Sequence, residues 1–284
     1  MGGIYACAFS RDSKFGASAS WDKTVKVWDF EKEPDESCVA TFQGHTGRVL
    51  CCSFSPCQTY VLSGSKDATL RVWSVERLCG SNRIDGTRSA ATAEEGAGEE
   101  EQKRCVGILR GHTSRVHSCA FSPSSGIAAS ASGDCTVRLW DVSTSTCLSQ
   151  FVAHTDSVLR CVFSESGKFL MTASQDKNVK IWDLTKIGEC VRTIRCTAKM
   201  SKYRNKYWGA IHGCAWSISS KLIVCGGTDR NVHVHDRTTG RHICALPGHG
   251  NSITCTAFST TGYFLCTGSK DMTVRIWFLP KRYA

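Results

Sequence analysis

The sequence predicts an all-β fold assembled from a repeated four-stranded unit. Six stretches of similar sequence recur along the 284 residues. Each combines small residues, an Asp in a short turn, and alternating apolar residues that end at Trp or its counterpart, as in SASGDCTVRLWDV (130–142) and TASQDKNVKIWDL (172–184). Self-similarity at a nearly fixed period is the signature of a repeat architecture. The shared turn residues are Asp22, Asp67, Asp134, Asp176, Asp229 and Asp271.

The stretch from residue 147 to residue 184 shows how the pattern predicts four strands. CLSQF (147–151) and VKIWDL (179–184) alternate apolar and polar residues, which is typical of strands with one covered face. VLRCVFS (158–164) and FLMTAS (169–174) are mostly apolar, which indicates buried strands. Turns rich in Gly, Ser and Asp separate the strands. Four strands in about 42 residues match one blade of a β-propeller, so we interpret this stretch as one blade.

A recurring set of polar residues predicts a hydrogen-bonded chain inside the blades. The turn Asp would accept from a His ring and from backbone N–H groups, the His would reach a strand hydroxyl, and that hydroxyl would accept from the Trp indole. Buried carboxylates and indoles need such partners. A catalytic triad of His112, Asp134 and Ser130 or Ser132 is the alternative, but a triad would occur only once. We therefore predict no enzyme and a structural role for His45, Asp67, Trp73, His112, Asp134, Trp140, His154, Asp176, Trp182, His249, Asp271 and Trp277.

These residues also carry a resemblance to the WD40-repeat family of the β-transducin type. The markers are the Gly-His pairs at 44–45, 111–112 and 248–249 and the Trp-Asp pairs at 28–29, 140–141 and 182–183. The resemblance implies one β-propeller domain over residues 1–284, built of six four-stranded blades. The fifth repeat departs from the pattern because it lacks Gly-His and has His235 in place of Trp. We expect its internal hydrogen bonds to differ.

The end of the array predicts an incomplete last blade. After Trp277 only FLPKRYA remains, which is too short for a further strand. We expect 23 strands, with the closing outer strand missing. The propeller would then be a ring left open at blade 6 or a shortened seven-bladed ring, and its open edge would be a pairing site.

Two of the intervals between successive turn Asp residues are longer than the others, which indicates two insertions. Residues 80–104 are rich in Gly, Ala, Ser and Glu with a net charge of −2, which predicts a disordered acidic loop between the third and fourth strands of blade 2. Residues 195–209 form a loop insertion that interleaves basic and aromatic side chains: Lys199, Lys202, Tyr203, Arg204, Lys206, Tyr207 and Trp208. Such a loop suits phosphate groups, acidic peptides or single-stranded nucleic acid, unless it packs onto the blade through its aromatic residues.

Composition predicts an intracellular protein without a cofactor or a metal site. No apolar run approaches the roughly 18 residues that span a bilayer, and the N-terminus lacks a signal-peptide pattern. We expect a cytoplasmic location and leave a nuclear one open. The 18 cysteines include no C-x-x-C pair. Five of them recur two residues before an aromatic residue, which predicts reduced, buried thiols: Cys7, Cys52, Cys119, Cys161 and Cys214.

The resemblance implies that partners bind the top face of the propeller, the face at which the turn Asp residues lie. Two positions in each repeat are expected at the rim of this face: the residue before the turn Asp and the residue before the first strand. Arg binds carboxylates and phosphates through two parallel hydrogen bonds, and Trp is a frequent interface anchor. The predicted partner-binding rim contains Trp21, Arg48, Lys66, Arg115, Gln175, Trp208 and Lys270.

The first functional hypothesis is a non-catalytic protein–protein interaction scaffold, an adaptor in a multiprotein complex. Its rim would bind an acidic or phosphorylated segment of a partner. The net charge of +10 supports an alternative, association with RNA or a ribonucleoprotein. An enzyme would need a unique constellation outside the repeat register. The sequence shows no P-loop, nucleophile elbow or metal-ligand spacing.

Overall fold

The computed structural model describes residues 2–79, 104–124, 126–186, 188–196, 209–217, 219–259 and 261–279. These residues form 23 β-strands and one short helix, α1 (Glu76–Cys79), which the sequence did not predict. The strands form six sheets that follow the chain order and are called blades 1 to 6. The predicted all-β class and the predicted number of blades are therefore confirmed.

The first three blades have four strands each. Blade 1 contains β1 (Ile4–Phe9), β2 (Phe15–Ser20), β3 (Val25–Asp29) and β4 (Cys38–Phe42). Blade 2 contains β5 (Val49–Phe54), β6 (Tyr60–Ser65), β7 (Leu70–Ser74) and β8 (Cys105–Leu109). Blade 3 contains β9 (Val116–Phe121), β10 (Ile127–Ser132), β11 (Thr136–Asp141) and β12 (Thr146–Val152).

Of the last three blades, two are complete. Blade 4 contains β13 (Val158–Phe163), β14 (Phe169–Ser174), β15 (Asn178–Asp183) and β16 (Glu189–Arg195). Blade 5 contains β17 (Ile211–Trp216), β18 (Leu222–Gly227), β19 (Val232–Asp236) and β20 (His242–Leu246). Blade 6 contains β21 (Ile253–Phe258), β22 (Phe264–Ser269) and β23 (Val274–Phe278). Within the described residues, blade 6 thus has three strands, as predicted.

By their contacts the residues form two compact units. Unit 1 comprises Met1–Ser130 and Leu139–Leu148, and unit 2 comprises Ala131–Arg138 and Ser149–Ala284. Blades 1 and 2 lie in unit 1, blades 4 to 6 lie in unit 2, and the boundary runs through blade 3.

The boundaries of the sequence repeat differ from those of the blade by one strand: the first strand of each repeat after the first is the last strand of the preceding blade. We interpreted residues 147–184 as one blade, but β12 pairs with β11 in blade 3, whereas β13, β14 and β15 pair with β16 in blade 4. The interpretation of this stretch as a single sheet was wrong, although all four strands are present. Strand patterns show which residues are extended but not which neighbouring strand they pair with.

The two predicted insertions lie in connections between strands. Residues 80–104 lie between β7 and β8, the third and fourth strands of blade 2, as predicted. The predicted loop insertion 195–209 begins one residue too early, since Arg195 is the last residue of β16 and pairs with Asn178; residues 196–209 lie between β16 and β17. Most of both segments, residues 80–103 and 197–208, are outside the described residues.

Burial separates the middle sheets from the terminal ones. In β15, Val179 is fully buried and Ile181 is 2% exposed. In the equivalent strand β23, Val274 and Ile276 are 69% and 72% exposed. Blade 1 exposes a different strand: Val25 and Val27 of its third strand are fully buried, but Ile4 and Phe9 of β1 are 61% and 68% exposed. One terminal sheet in each unit therefore presents apolar side chains that the middle sheets bury.

The five recurring cysteines differ in their exposure to solvent. Cys52, Cys119, Cys161 and Cys214 are buried, as predicted, but Cys7 is exposed because it lies in the uncovered strand β1. Among the described residues, no helix is long and apolar enough to cross a membrane.

Candidate partner-binding site

The predicted hydrogen-bonded chain is complete in blade 2. His45 Nδ1 lies 2.9 Å from Asp67 Oδ2, and His45 Nε2 lies 2.9 Å from Ser63 Oγ. The Trp73 indole N–H donates to the same Ser63 oxygen at 2.8 Å. These hydrogen bonds therefore give every buried polar atom of the four side chains a partner. A buried polar atom without a partner would destabilise the fold, because the protein interior has a low dielectric constant.

The same contacts recur in other blades. In blade 4 they join Asp176, His154, Thr172 and Trp182 at 2.8, 2.7 and 2.9 Å. In blade 6 they join Asp271, His249, Thr267 and Trp277 at 2.8 Å each. In blade 3, Ser130 is 2.7 Å from His112 Nε2 and accepts from the Trp140 indole at 2.8 Å. A Thr hydroxyl thus replaces Ser without breaking the chain.

The turn Asp also fixes the backbone between the second and third strands. The residue after it has a left-handed φ, which L-residues other than Gly adopt at a cost of roughly 1–2 kcal/mol. In blade 2 the Asp67 Oδ1 atom accepts from the Thr69 backbone N–H at 2.9 Å and from its hydroxyl at 2.6 Å, which offsets that cost. The left-handed residues are Lys23 (φ 72°), Ala68 (65°), Cys135 (68°), Lys177 (74°), Arg230 (69°) and Met272 (65°).

The buried hydroxyls explain why these triad-like sets are structural. Ser63, Ser130, Thr172 and Thr267 are all 0% exposed. A nucleophile must reach a substrate carbonyl or phosphoryl atom, and no substrate reaches a hydroxyl that is sealed between strands. The geometry therefore supports the structural role that recurrence predicted.

The hydrogen-bonded side chains lower the pKa of the turn Asp carboxyl groups in blades 2 and 4. Burial alone would raise the pKa of Asp176, but the hydrogen bond and the charge interaction with His154 lower it from 3.8 to about 2. Burial likewise opposes the ionised form of Asp67, and His45 and Thr69 overcome it, so its pKa is also lowered. These aspartates bind protons more weakly in the folded protein than in the unfolded chain.

This shift predicts a loss of stability in acid. A depressed carboxyl pKa stabilises the fold above the unfolded value of 3.8, and that stabilisation is lost as the pH falls through about 2. We expect Asp176→Asn to remove on the order of 1–2 kcal/mol from the free energy of unfolding at neutral pH. Its unfolding free energy should also fall less than that of the wild type between these pH values. Denaturant titrations at both ends of the window measure this, and an equal acid loss in the two proteins would contradict it.

The two sets of rim positions lie side by side at one end of the sheets. In blade 2 the Lys66 backbone N–H donates to the Arg48 carbonyl at 2.9 Å, so the residue before the turn Asp touches the residue before the first strand. The same backbone bond joins Trp21 to Gly3, Gln175 to Ser157, Thr228 to Ala210 and Lys270 to Ser252 at 2.9–3.0 Å.

In unit 1 this end carries a stacked Trp–Arg pair. The Arg48 guanidinium lies 3.5 Å from the centroid of the Trp21 ring, and Trp21 is 47% exposed. Lys66 and Arg115 are exposed. Arg115 precedes Val116, which packs against Gly64 two residues before Lys66. These four residues, Trp21, Arg48, Lys66 and Arg115, are called the unit 1 rim.

The remaining predicted site residues fall in two groups. Gln175 is half-buried and Lys270 is exposed, both in unit 2 at the equivalent position of their own blades. Trp208 and the basic loop residues Lys199, Lys202, Tyr203, Arg204 and Lys206 lie outside the described residues. The described part of the predicted site that comes together is therefore the unit 1 rim.

Sequence reasoning missed a side-chain cluster formed by two strands of blade 5 and by Cys196, which directly follows β16 of blade 4. The sulfur atoms of Cys196 and Cys225 and a ring nitrogen of His235 all lie within 4.8 Å of one another, and all three residues are buried. Burial opposes ionisation of both thiols, but Cys225 and His235 lower the pKa of Cys196, whereas burial and Cys196 raise that of Cys225. The available signal was the ten-residue separation between Cys225 and His235, which equals that between Ser63 and Trp73.

The turn Asp of blade 5 has a different partner from its counterparts. Asp229 Oδ2 lies 2.6 Å from Nε2 of His233, and Nδ1 of that ring lies 3.3 Å from His242 Nε2. Burial would lower the pKa of His233, but Asp229 raises it above its usual value. The expectation that the hydrogen bonds of this blade differ is therefore confirmed.

Comparison with known proteins agrees with the repeat pattern. Striatin-4 from Mus musculus is 26% identical over 292 aligned positions, which cover 99% of this chain and 36% of that protein. Periodic tryptophan protein 2 from Saccharomyces cerevisiae is 43% identical over 170 positions, 59% of this chain and 17% of that protein. WD repeat-containing protein 37 from Mus musculus is 26% identical over 62% of this chain and 34% of that protein. The chain thus spans about a third or less of the length of these relatives.

A family model accounts for most of the chain. The model described as "WD domain, G-beta repeat" matches residues 1–29, 36–74, 103–141, 145–183, 189–236 and 240–277. Each match ends near the Trp or His at the end of a third strand, so the matches follow the same repeat as the turn Asp residues. The family model covers most of the chain, and the buried His–Asp–Ser/Thr–Trp contacts recur in several of its six blades. This chain therefore belongs to the WD40-repeat family of β-propeller proteins.

Proposed function

We propose that this chain is a non-catalytic scaffold whose unit 1 rim binds an acidic or phosphorylated segment of a partner protein. Members of the WD40 family are generally scaffolds for protein–protein interaction, which supports the general class. The rim supports the finer statement about the partner.

The Arg48–Trp21 stack is the observation that carries the proposal. A guanidinium that lies flat on an indole keeps its N–H groups at its edge, where they form parallel hydrogen bonds with carboxylate or phosphate oxygens. At 3.5 Å from the ring centroid, Arg48 is held in such an orientation before any ligand arrives. Little side-chain entropy is then lost on binding, which favours affinity.

The neighbouring charges suit the same ligand. Among the described residues, Arg48, Lys66 and Arg115 form no salt bridge with a carboxylate within 4.0 Å. Three cations at one end of unit 1 that form no ion pair within the described part of the chain attract an anionic group and repel a basic one. The half-exposed Trp21 ring adds an apolar anchor beside them, which a purely electrostatic surface would lack.

Charge reversal at the rim tests the proposal. We expect Arg48→Glu/Arg115→Glu to lose the proteins that the wild-type chain captures from a cell lysate, because the rim would then repel an acidic segment. Phosphatase treatment of the lysate should release those partners that are recognised through phosphate. The readout is quantitative mass spectrometry of the captured proteins.

The matched control reverses two charges at the opposite end of blade 1. Arg11 and Lys32 are exposed and lie in the loops after β1 and β3, away from the turn that contains Trp21. Arg11→Glu/Lys32→Glu should retain the partners. If both variants lose the same proteins, net charge and not the rim governs binding. If nuclease treatment alone removes the captured material, the chain associates with RNA and the proposal is wrong.

A further inference from the structure

The buried thiol–imidazole cluster of blade 5 occupies the positions that form the hydrogen-bonded chain elsewhere. Cys225 in β18 and His235 in β19 are separated by ten residues, as are Ser63 and Trp73, whose side chains are hydrogen-bonded. Blade 5 therefore has a thiol in place of the strand hydroxyl and an imidazole in place of the indole.

Cys196 makes the backbone contact that His154, a member of the blade 4 hydrogen-bonded chain, makes at the preceding turn. Between blades 3 and 4, the backbone N–H of His154 donates to the carbonyl of Cys135, the left-handed residue after a turn Asp, at 3.3 Å. The Cys196 N–H donates in the same way to Lys177, the left-handed residue of the next turn, also at 3.3 Å. Three members of the repeated chain have thus been replaced together, and each replacement is a metal-ligating residue type.

The His235 ring provides an independent indication of a missing partner. His235 is 3% exposed, and its Nδ1 lies 3.4 Å from the carbonyl of Gly240. Its Nε2 atom is buried and forms no hydrogen bond of acceptable geometry among the described residues. Its ring interacts with the Cys196 thiol, but the two groups do not have the geometry of a hydrogen bond. A metal-bound His usually donates its other ring N–H to a carbonyl or carboxylate, which leaves the second nitrogen free for the metal. His235 has this arrangement.

From these positions we propose that Cys196, Cys225 and His235 form a binding site for a zinc ion. Two thiolates neutralise the charge of Zn²⁺, so the three ligands and the ion together carry no net charge. This suits the apolar part of the surroundings, since Ile194, Ile211, Cys214 and Ile223 belong to the same buried cluster. Cu⁺ with the same ligands would leave a buried negative charge. Thiolate and imidazole are also the ligands that Zn²⁺ favours over Mg²⁺ or Ca²⁺.

The spacing of the ligand atoms suits one small ion. Ligand atoms on a single tetrahedral zinc lie about 3.5–3.8 Å apart, given metal–ligand bonds of about 2.0–2.3 Å. The three atoms of the cluster lie within 4.8 Å of one another, so rotations of the side chains bring them into range. Three protein ligands leave one tetrahedral position for water. In this blade the ion would join three strand segments that the other blades join through hydrogen bonds.

Titration with Co²⁺, followed by displacement with Zn²⁺, tests the site on the full chain under reducing conditions. We expect one equivalent of Co²⁺ to produce a thiolate-to-cobalt charge-transfer band that one equivalent of Zn²⁺ abolishes. Cys196→Ala and Cys225→Ala should each lose the band and bind zinc at least about 100-fold more weakly, since even loss of an outer-shell partner costs about 10–100-fold. Zinc should raise the melting temperature of the wild type and not of these variants.

Two variants keep the test decisive. Cys214→Ala removes an equally buried thiol that pairs with Cys225 across the strands but lies outside the cluster, and it should retain the band. Cys225→Ser/His235→Trp restores the Ser–Trp pair of the other blades, so it should fold and yet bind no zinc. Binding that is unchanged in the cluster variants would assign the metal to exposed thiols and overturn the proposal. A Cys196–Cys225 disulfide in anaerobically purified protein, or binding of Cu⁺ without binding of Zn²⁺, would overturn it as well.

Discussion

Replacing Trp73 with Ala is expected to lower the free energy of unfolding by about 3–5 kcal/mol, which is the upper range for truncation of a buried side chain. The Trp73 side chain is fully buried and stacks on Phe42 with ring planes 2° apart and centroids 5.1 Å apart. Its removal leaves a large cavity and takes away the indole that donates to Ser63. Denaturant unfolding followed by circular dichroism measures the loss.

Trp277→Ala is the matched control for this prediction. Trp277 donates to Thr267 at the same 2.8 Å distance, but its side chain is only half-buried because blade 6 has an uncovered face. We expect a clearly smaller loss, since less apolar surface returns to water. If Trp277→Ala destabilised the protein as much as Trp73→Ala, packing between blades would not be what makes Trp73 important.

Thr172→Val is expected to cost about 2–6 kcal/mol although it preserves the shape of the side chain. Thr172 is fully buried, and its hydroxyl is bonded to both His154 and Trp182. Valine would leave a ring nitrogen and an indole N–H buried without partners. Each such group costs roughly 1–3 kcal/mol.

The control for this second prediction is Thr172→Ser. Serine occupies the same position in blades 2 and 3, so it should keep both hydrogen bonds and lose only one methyl group, about 0.8 kcal/mol. The measurement is the difference between the denaturation midpoints of the Val and Ser variants. Equal midpoints would mean that the hydroxyl network contributes nothing beyond packing.

The repeat made the fold predictable, because each feature was visible several times. Recurrence located the turn Asp and paired it with its His, hydroxyl and Trp before any distance was known. The assignment of strands to sheets was less accessible. β12 is extended in either interpretation, and only its pairing with β11 shows that it belongs to blade 3.

The sequence predicted where the rim residues lie along their blades but not which side chains touch. The sequence placed Arg48 and Trp21 at the same end of their blades, yet the stacking depends on side-chain directions across two sheets. The thiol–imidazole cluster of blade 5 eluded the sequence search for a related reason. Its residues come from three separate segments, and the only regular spacing among them, ten residues between Cys225 and His235, is that of the repeat and not of a metal-binding motif.

A photo-crosslinking amino acid at position 21 tests the central claim most directly. Replacing Trp21 with p-benzoylphenylalanine places the reactive group beside Arg48, and the same replacement of Phe30, which is 51% exposed beyond the other end of β3, is the control. The account predicts that position 21 crosslinks to an acidic or phosphorylated segment of a partner protein and that position 30 does not. Crosslinks that form from position 30 and not from position 21 would contradict the assignment of the unit 1 rim as the partner-binding site.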